Sequence, residues 1–310
     1  MVFCPLFFCQ NESACTFFFC ACLKKKESYL WYKSKNKNIN IDVRCTTDNH
    51  EKPTLYKCKE CKLIFSEYFN SNFENAYSDV VDEKYIKQIP IKRENFNLFY
   101  NKINPFLNLN QKVLEIGSYY GVLGSIIKPN VKSYTGLELS RHASQYAKNN
   151  FNLNIVNKPL SIFFKEKVSF DIIIMNDVIE HLDNPFETLE LIEKHLNPEG
   201  FLIFTTCNMD AIVPKIMGGN YHWIMPMHKF YFSNYTLRYF LNINNMHLSR
   251  IESDTKTTNM AYFIEKLCVL IPKLRFIFKF LLKLKFLKKI KIKINLLDLN
   301  IYFAKKNKTT

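Results

Sequence analysis

Two short strings carry the residue types that could do chemistry. The first, residues 112–124 (KVLEIGSYYGVLG), holds Gly117, Gly121 and Gly124, three of only seven glycines in 310 residues. Average usage would supply about 22, so each of these serves a backbone need that a side chain would obstruct. An apolar strand (Val113, Leu114, Ile116) running into Glu115-x-Gly117 and then a glycine-bearing turn brings backbone close to a bound nucleoside. The second, residues 170–182 (FDIIIMNDVIEHL), is an apolar strand that breaks into polar residues at Asn176 and Asp177. It reaches His181, an imidazole placed where a base could take a proton from a hydroxyl. Between the two, residues 134–139 (YTGLEL) end in Glu138 and Leu139. A carboxylate there can accept hydrogen bonds from both hydroxyls of a ribose. The plain alternatives are an ordinary tight turn at Gly117, a solvated strand end at Glu138 and a helix-start histidine at His181.

These strings need a scaffold that brings strand ends together. A third strand is expected near residues 153–157, and NPEGFLIFTT (197–206) gives a turn and a fifth strand. Residues 141–149 and 185–196 carry apolar positions at spacings of three and four, which predicts helices between the strands. Strand and helix in alternation require an α/β fold with a doubly wound parallel sheet.

At this point the chain resembles the S-adenosylmethionine-dependent methyltransferases of the Rossmann-like class, and within them the small-molecule and glycan branch. The resemblance covers roughly residues 73–252 and a last strand near 298–304. It implies a mostly parallel seven-stranded sheet and S-adenosylmethionine as cofactor. Glu115-Ile-Gly117-x-x-x-Gly121 looks like the family's first motif, Glu138 with Leu139 like its ribose-binding strand end, and residues 176–182 (NDVIEHL) like the motif after strand four. Asn176 and Asp177 would then line the methionine end of the cofactor. Tyr119 departs from the pattern, since many members keep a glycine there. Methyl transfer from a sulfonium needs alignment and exclusion of water more than covalent help, so few catalytic residues are expected. A second cluster, residues 218–241, resembles the segment that caps the acceptor pocket. Trp223, His228, Phe230 and Phe232-Ser233 hold the matching positions, which makes His228, like His181, a candidate acceptor base. The aromatics are either a water-excluding lid or core packing for the following helix, which Ser233 or Asn234 would cap.

The branch implies O-methylation of a sugar, a glycan precursor or a lipid-linked small molecule. A quinone-type phenol is the alternative, and a non-catalytic scaffold on the cofactor fold is the reading from another class. Nucleic acid is not expected, because NDVIEHL differs from the Asn/Asp-Pro-Pro-aromatic string that holds a flipped base.

The amino-terminal part poses a separate problem. Eight of ten cysteines precede residue 62. Cys58-Lys-Glu-Cys61 has the spacing of one half of a structural zinc site, and relatives begin with a zinc-ribbon-like segment. The upstream cysteines read Cys20-Ala-Cys22 and Cys45, with His50 nearby, so the other half of a site is open. A disulfide framework does not suit the reducing cytoplasm in which a cofactor-dependent enzyme of this kind is expected to work. Residues 1–23 are Phe- and Cys-rich but lack the preceding basic residues of a signal peptide. Residues 24–44 are Lys- and Asn-rich and expected to loop out. Residues 73–108 are expected to be helical, with Tyr77 and Tyr85 on a flap over the cofactor.

Formal net charge is +15, and residues 266–293 supply ten Lys or Arg and no Asp or Glu. In the usual fold, strand six (246–252) meets strand seven through a short hairpin. Here some 45 residues intervene. Arg275, Lys279 and Lys283 repeat at four-residue spacing among Leu, Ile and Phe, whereas Lys285 and Lys289 fall on another side. A solvated helical subdomain or dimer contact fits this pattern, and so does an element lying on an anionic membrane surface. The expected organisation is a Cys-rich module (1–65), a helical flap (66–108), a cofactor core (109–209), an acceptor lid with the sixth strand (210–260), and a basic helical insertion with the final strand (261–310).

Overall fold

The alternating apolar segments fold as expected in a computed structural model that describes residues 28–36, 39–47, 51–69, 71, 73–270 and 272–307. The chain opens with strands β1 (Ser28–Tyr32), β2 (Leu55–Cys58) and β3 (Ile64–Ser66), followed by helices α1 (Glu74–Ser78), α2 (Glu83–Lys87) and α3 (Ile89–Ile103). The central unit then runs β4 (Lys112–Ile116), α4 (Val122–Ile127), β5 (Ser133–Leu137), α5 (Arg141–Phe151), β6 (Ile155–Val156), α6 (Leu160–Phe163), β7 (Phe170–Asn176), α7 (Pro185–His195) and β8 (Leu196–Cys207). Next come α8 (Ile212–Met217), β9 (Phe230–Tyr231), α9 (Asn234–Ile243) and β10 (Met246–Ser253). The last part holds β11 (Lys256–Asn259), α10 (Met260–Leu270), α11 (Arg275–Leu281), β12 (Lys291–Ile294) and β13 (Leu299–Lys306).

The seven-stranded sheet has the order β10-β13-β8-β7-β4-β5-β6. β4 pairs in parallel with β5 and β7, β7 with β8, and β5 with β6, while β13 inserts antiparallel between β10 and β8. Successive side chains on a strand point to opposite faces, and both faces are covered. Leu114, Ile173, Leu202 and Tyr302 pack into one apolar layer, and Val113, Ile172, Ile203 and Phe303 into the other with Phe99 and Ile103 of α3. After β4 the chain adds strands on one side and, after β6, crosses back to place β7 on the other. The carboxyl end of β4 is therefore a topological switch point, where an open α/β sheet leaves a ligand crevice.

A smaller antiparallel sheet, β1-β2-β3-β9, joins the amino-terminal strands to the segment expected to be the lid, because β9 pairs with β3 through Ile64, Phe65, Phe230 and Tyr231. Two expectations need correction. Within the stretch expected to loop out, Ser28–Tyr32 forms β1 and pairs with β2, since Trp31 and Tyr32 pack against Tyr221, Ile224 and Tyr231. The basic insertion is not wholly helical, because its ends close an antiparallel hairpin in which Lys256–Asn259 faces Lys291–Ile294. Residues 1–23, Cys20, Cys22 and His50 lie outside the described residues. Among the described residues no helix is long and apolar enough to cross a membrane.

Candidate active site

The turn after β4 is built from backbone that only certain residues tolerate. Gly117 has φ +73°, and a Cβ there would sit 2.6 Å from Cγ2 of Val178. Its N–H and that of Ser118 both donate to the Leu137 carbonyl, at 2.8 and 3.1 Å, which ties the turn to the end of β5. Gly121 (φ +76°) starts α4 so close to α5 that a Cβ would lie 2.6 Å from Cβ of Ala147. Tyr119 takes φ +45° without being glycine. Its N–H donates to Oε2 of Glu138 at 2.7 Å, and the Ser140 N–H donates to Oε1 at 2.7 Å. Each carboxylate oxygen keeps a further lone pair. Burial raises the Glu138 pKa to about 7, and the Ser140 and Tyr119 N–H groups oppose that rise.

Tyr119 turns its ring toward the flap. It packs edge-on against Tyr85 with centroids 4.7 Å apart, and its hydroxyl donates to Oδ2 of Asp82 at 3.1 Å. Buried Asp82 also caps α2 by accepting from the Tyr85 N–H, and its own N–H donates to the Tyr120 hydroxyl at 2.9 Å. Thr46 donates to the same carboxylate through both its N–H and its hydroxyl. One carboxylate thereby joins the amino-terminal loop, the flap and the glycine turn. Glu115 is buried on the α4 side of β4, where the Tyr134 hydroxyl donates to it at 2.5 Å. Burial pushes its pKa up to about 8, with the Tyr134 hydrogen bond acting in the other direction. Half-buried Leu139 offers its carbonyl to Asn157 Nδ2 at 2.8 Å.

At the end of β7, Asp177 adopts φ +55° and accepts from the Thr205 hydroxyl at 2.6 Å. Lys256 of β11 lies 3.6 Å from it and 2.8 Å from Asp254. Burial acts to raise the Asp177 pKa, but Lys256 and the Thr205 hydroxyl overcome it and hold the group below the ordinary range. Asn176 Nδ2 donates to Asp177 at 3.1 Å, while its buried Oδ1 has no partner among the described residues.

His181 and His228 meet edge to face, with ring centroids 4.7 Å apart. Nδ1 of His181 lies 3.1 Å from the Met227 carbonyl and 3.1 Å from the Tyr77 hydroxyl. A carbonyl can only accept, so the proton sits on Nδ1 and Nε2 keeps its lone pair. Burial lowers the His181 pKa to about 4, and burial together with His181 lowers that of His228, so both rings are neutral near pH 7. The neighbouring Glu180 carboxyl is pushed up to about 8 by burial and by Asp177. Glu180 Oε2 and His228 Nδ1 are buried without partners among the described residues. One ligating atom from each of Glu180, His181 and His228 lies within 4.8 Å of the others, a set that could move a proton or hold a cation. The lid segment is locked over this triangle by its own backbone, because the N–H groups of Lys229 and Phe230 both donate to the Glu180 carbonyl. The fully buried Lys229 ammonium pairs with Asp183 and the Ser71 carbonyl.

Sequence reasoning names Glu138, Gly117, Asp177, His181 and His228; the fold sets the first three at the carboxyl ends of β5, β4 and β7, and brings His181 and His228 together just beyond β7. It does not name Asp82, Glu180 or Lys256. Asp82 had a helix-cap signal three residues before Tyr85, Glu180 sat unremarked within its string, and Lys256 arrives from an insertion with no motif. The aromatics Phe230 and Phe232 are core packing, fully buried with Phe65, Leu237 and Phe240, and Trp223 packs beside Tyr221 and Ile224. Cys58 and Cys61 lie in a tight knuckle between β2 and β3. The Cys58 N–H donates to the Leu63 carbonyl at 2.9 Å, Lys62 takes φ +59°, and both cysteines are buried.

The family described as the methyltransferase domain matches residues 90–245, half of the chain. A protein of Mycoplasma mobile named an uncharacterized RNA methyltransferase is 31% identical over 126 residues, which cover 38% of this chain and 34% of that protein. Ubiquinone biosynthesis O-methyltransferases of Coxiella burnetii are 28% identical over 116 residues, covering 35% of this chain and 50% of theirs. The chain thus spans between about a third and a half of the length of these curated relatives. Among solved structures, an S-adenosylmethionine-dependent methyltransferase from Archaeoglobus fulgidus aligns with a TM-score of 0.48 at 17% identity, covering 73% of this chain and all of that one. The N-methyltransferase NodS from Bradyrhizobium japonicum aligns with a TM-score of 0.43 at 13% identity, covering 71% and 98%.

Proposed function

The chain belongs to the methyltransferase-domain family, and we propose that it transfers a methyl group from S-adenosylmethionine to a hydroxyl oxygen of a sugar, glycan precursor or lipid-linked small molecule. One observation carries this reading. A glycine turn with a buried carboxylate beneath it and a neutral imidazole with an available lone pair share a single crevice at the carboxyl ends of β4, β5 and β7. The residues fit the cofactor. A side chain at Gly117 would strike Val178 and displace the turn whose backbone faces the ligand end of the sheet, and Glu138 retains lone pairs for two ribose hydroxyls.

Bound there, S-adenosylmethionine supplies a methyl group on a positively charged sulfur, an electrophile that needs little covalent assistance. The protein's own part is alignment and proton removal. Gly117 and Gly121 shape the loop, Glu115 braces β4 through Tyr134, and Tyr119 and Leu139 flank the ribose acid. Asn176 and Asp177 offer acceptors at the methionine end. His181 accepts the acceptor's hydroxyl proton at Nε2, while the Met227 carbonyl holds its tautomer from the opposite side of the ring. Asp177 steadies the imidazolium as it forms. His228 orients the acceptor against His181, and the buried segment that carries it, held to the Glu180 carbonyl by the Lys229 and Phe230 N–H groups, keeps water out.

The Coxiella relatives favour a second acceptor, a quinone-type phenol, which suits the aromatic surroundings of Tyr77 and Tyr119. Titration calorimetry with S-adenosylmethionine and S-adenosylhomocysteine, then transfer of a labelled methyl group to sugar, lipid-linked and phenol acceptors, tests both readings. Absence of cofactor binding in folded protein would leave only the scaffold. Structural zinc on Cys58 and Cys61 belongs to the same proposal. It requires about one equivalent of zinc in purified protein, lost in the Cys58→Ser, Cys61→Ser variant.

A further inference from the structure

The insertion between β10 and β13 exposes apolar side chains that a water-soluble surface does not need. On α11, Phe276 and Phe280 stand one turn apart and are 73% and 64% exposed; Leu284 and Phe286 continue the patch, at 36% and 56%. The opposite side of the same segment is spent on packing, with Phe278, Leu281 and Leu282 seated against Ala261, Ile264 and Leu287. The outward face is therefore not an unfolded remnant of a core but a second, separate apolar face. Exposed Arg275, Lys279, Lys283 and Lys289 frame it, and residues 266–293 contain no acid. Large exposed apolar patches mark interaction sites, and the ring of cations selects which one.

We infer that this face docks on a bilayer carrying anionic headgroups, with Phe276 and Phe280 entering the headgroup boundary and the cations held at its surface. This goes beyond the methyl-transfer reading and does not depend on it. A second copy of the chain fits less well, because a two-fold contact would set the same cations against themselves. Nucleic acid fits less well too, since the phenylalanines share the face with aliphatic Leu274, Ile277 and Leu284, which acyl chains accept and bases do not stack on.

The insertion is also fastened to the crevice. Its first strand carries Lys256, 3.6 Å from Asp177, and the Thr257 N–H donates to Asn95 of α3 at 2.6 Å. Its last strand pairs Lys291 with Glu94. Docking would therefore hold the mouth of the crevice beside the lipid surface.

Vesicle flotation of the full chain tests this, with phosphatidylcholine alone and with phosphatidylcholine mixed with phosphatidylglycerol. The expected result is recovery with the mixed vesicles at low salt, about tenfold less with phosphatidylcholine alone, and a fall with added salt. Phe276→Ser with Phe280→Ser should cut recovery by about tenfold or more, and Lys279→Glu with Lys283→Glu should abolish the preference for phosphatidylglycerol. S-adenosylhomocysteine binding, read on every sample, should stay unchanged in both variants. Protein that floats without binding cofactor would separate failure of the enzymatic reading from failure of this one. Wild-type protein left unfloated by both vesicles overturns the inference, whether or not light scattering then shows a dimer or an RNA fragment is retained. Equal flotation of the Phe276→Ser, Phe280→Ser variant overturns it as well.

Discussion

The two halves of the crevice are finished to different degrees. On the cofactor side the ribose end is closed by the chain itself, since Glu138 accepts from Tyr119 and Ser140, the Gly117 and Ser118 N–H groups share the Leu137 carbonyl, and Asp82 takes up Tyr119, whereas at the methionine end the buried Asn176 Oδ1 has no partner among the described residues. On the acceptor side, Glu180 Oε2 and His228 Nδ1 are buried without partners among the described residues, and Nε2 of His181 keeps its lone pair. Buried polar atoms left unpaired cost about 1–3 kcal/mol each, so a fold retains them where a ligand will pair them. The ribose end is thus closed by the protein's own groups, and the unspent polarity lies at the methionine end, on Asn176, and across the acceptor half, on Glu180 and His228.

The contrast breaks most sharply at His181. Its replacement by Ala should lower kcat by on the order of 10²–10⁴, while S-adenosylhomocysteine affinity by calorimetry changes less than about twofold, because the ring is neutral near pH 7 and its hydrogen-bond partners are the Met227 carbonyl and the Tyr77 hydroxyl. Unchanged turnover would remove it from the mechanism.

Glu138→Ala attacks the other half. Cofactor affinity should fall by on the order of 100-fold, and thermal stability should fall too, since the Tyr119 and Ser140 N–H groups lose their acceptor at about 1–3 kcal/mol apiece. Retained binding in the variant would mean that the ribose is held elsewhere.

A pH titration separates the halves without mutation. Glu138 ionises at about 7 in the folded protein against 4.5 when exposed. Its raised value costs stability progressively as pH rises from 4.5 through 7, because over that window the unfolded chain has released the proton and the folded one has not. Ribose hydroxyls donate to the ionised form, so cofactor affinity should tighten by up to about tenfold per unit toward pH 7 and then level. His181, lowered to about 4, acts in the opposite direction on stability, which it adds as pH rises from 4 to 6.5. Turnover at saturating cofactor should stay flat between pH 6 and about 7, because that imidazole is already neutral and the Glu180 carboxyl, pushed up to about 8, is still protonated. A matching rise in saturated turnover through pH 7 would show that the acceptor half titrates too.

The legible parts of this molecule are those whose signals are local. Val113 to Gly117 and Phe170 to Asp177 announce strand and turn within a few residues, and helix signals bracket them, so the sheet and its switch point follow from sequence. The β1 strand did not, because SYLWY sits in a Lys- and Asn-rich stretch and gains its order only from β2, more than twenty residues away. β11 falls within the segment assigned to the lid and sixth strand and β12 within the insertion expected to be helical, since lysines alternating with apolar residues in KIKI look like part of the basic run until a partner strand is known. Phe230 and Phe232 looked like a lid because pocket and core use the same aromatics, and only burial separates them. Asp82 and Lys256 reach the crevice from distant segments, and nothing in their own neighbourhoods declares where they point.

The smallest effect falls on Tyr77, whose hydroxyl shares Nδ1 of His181 with the Met227 carbonyl. The carbonyl alone fixes the tautomer, so Tyr77→Phe removes a hydrogen bond worth a net 0.5–1.5 kcal/mol or so. Turnover should drop about three- to tenfold, with cofactor affinity and its dependence on pH untouched. A loss as deep as that of His181→Ala would place the tyrosine oxygen against the acceptor itself, and a parallel loss of cofactor affinity would mean that the flap serves both halves and that the division between them fails at α1.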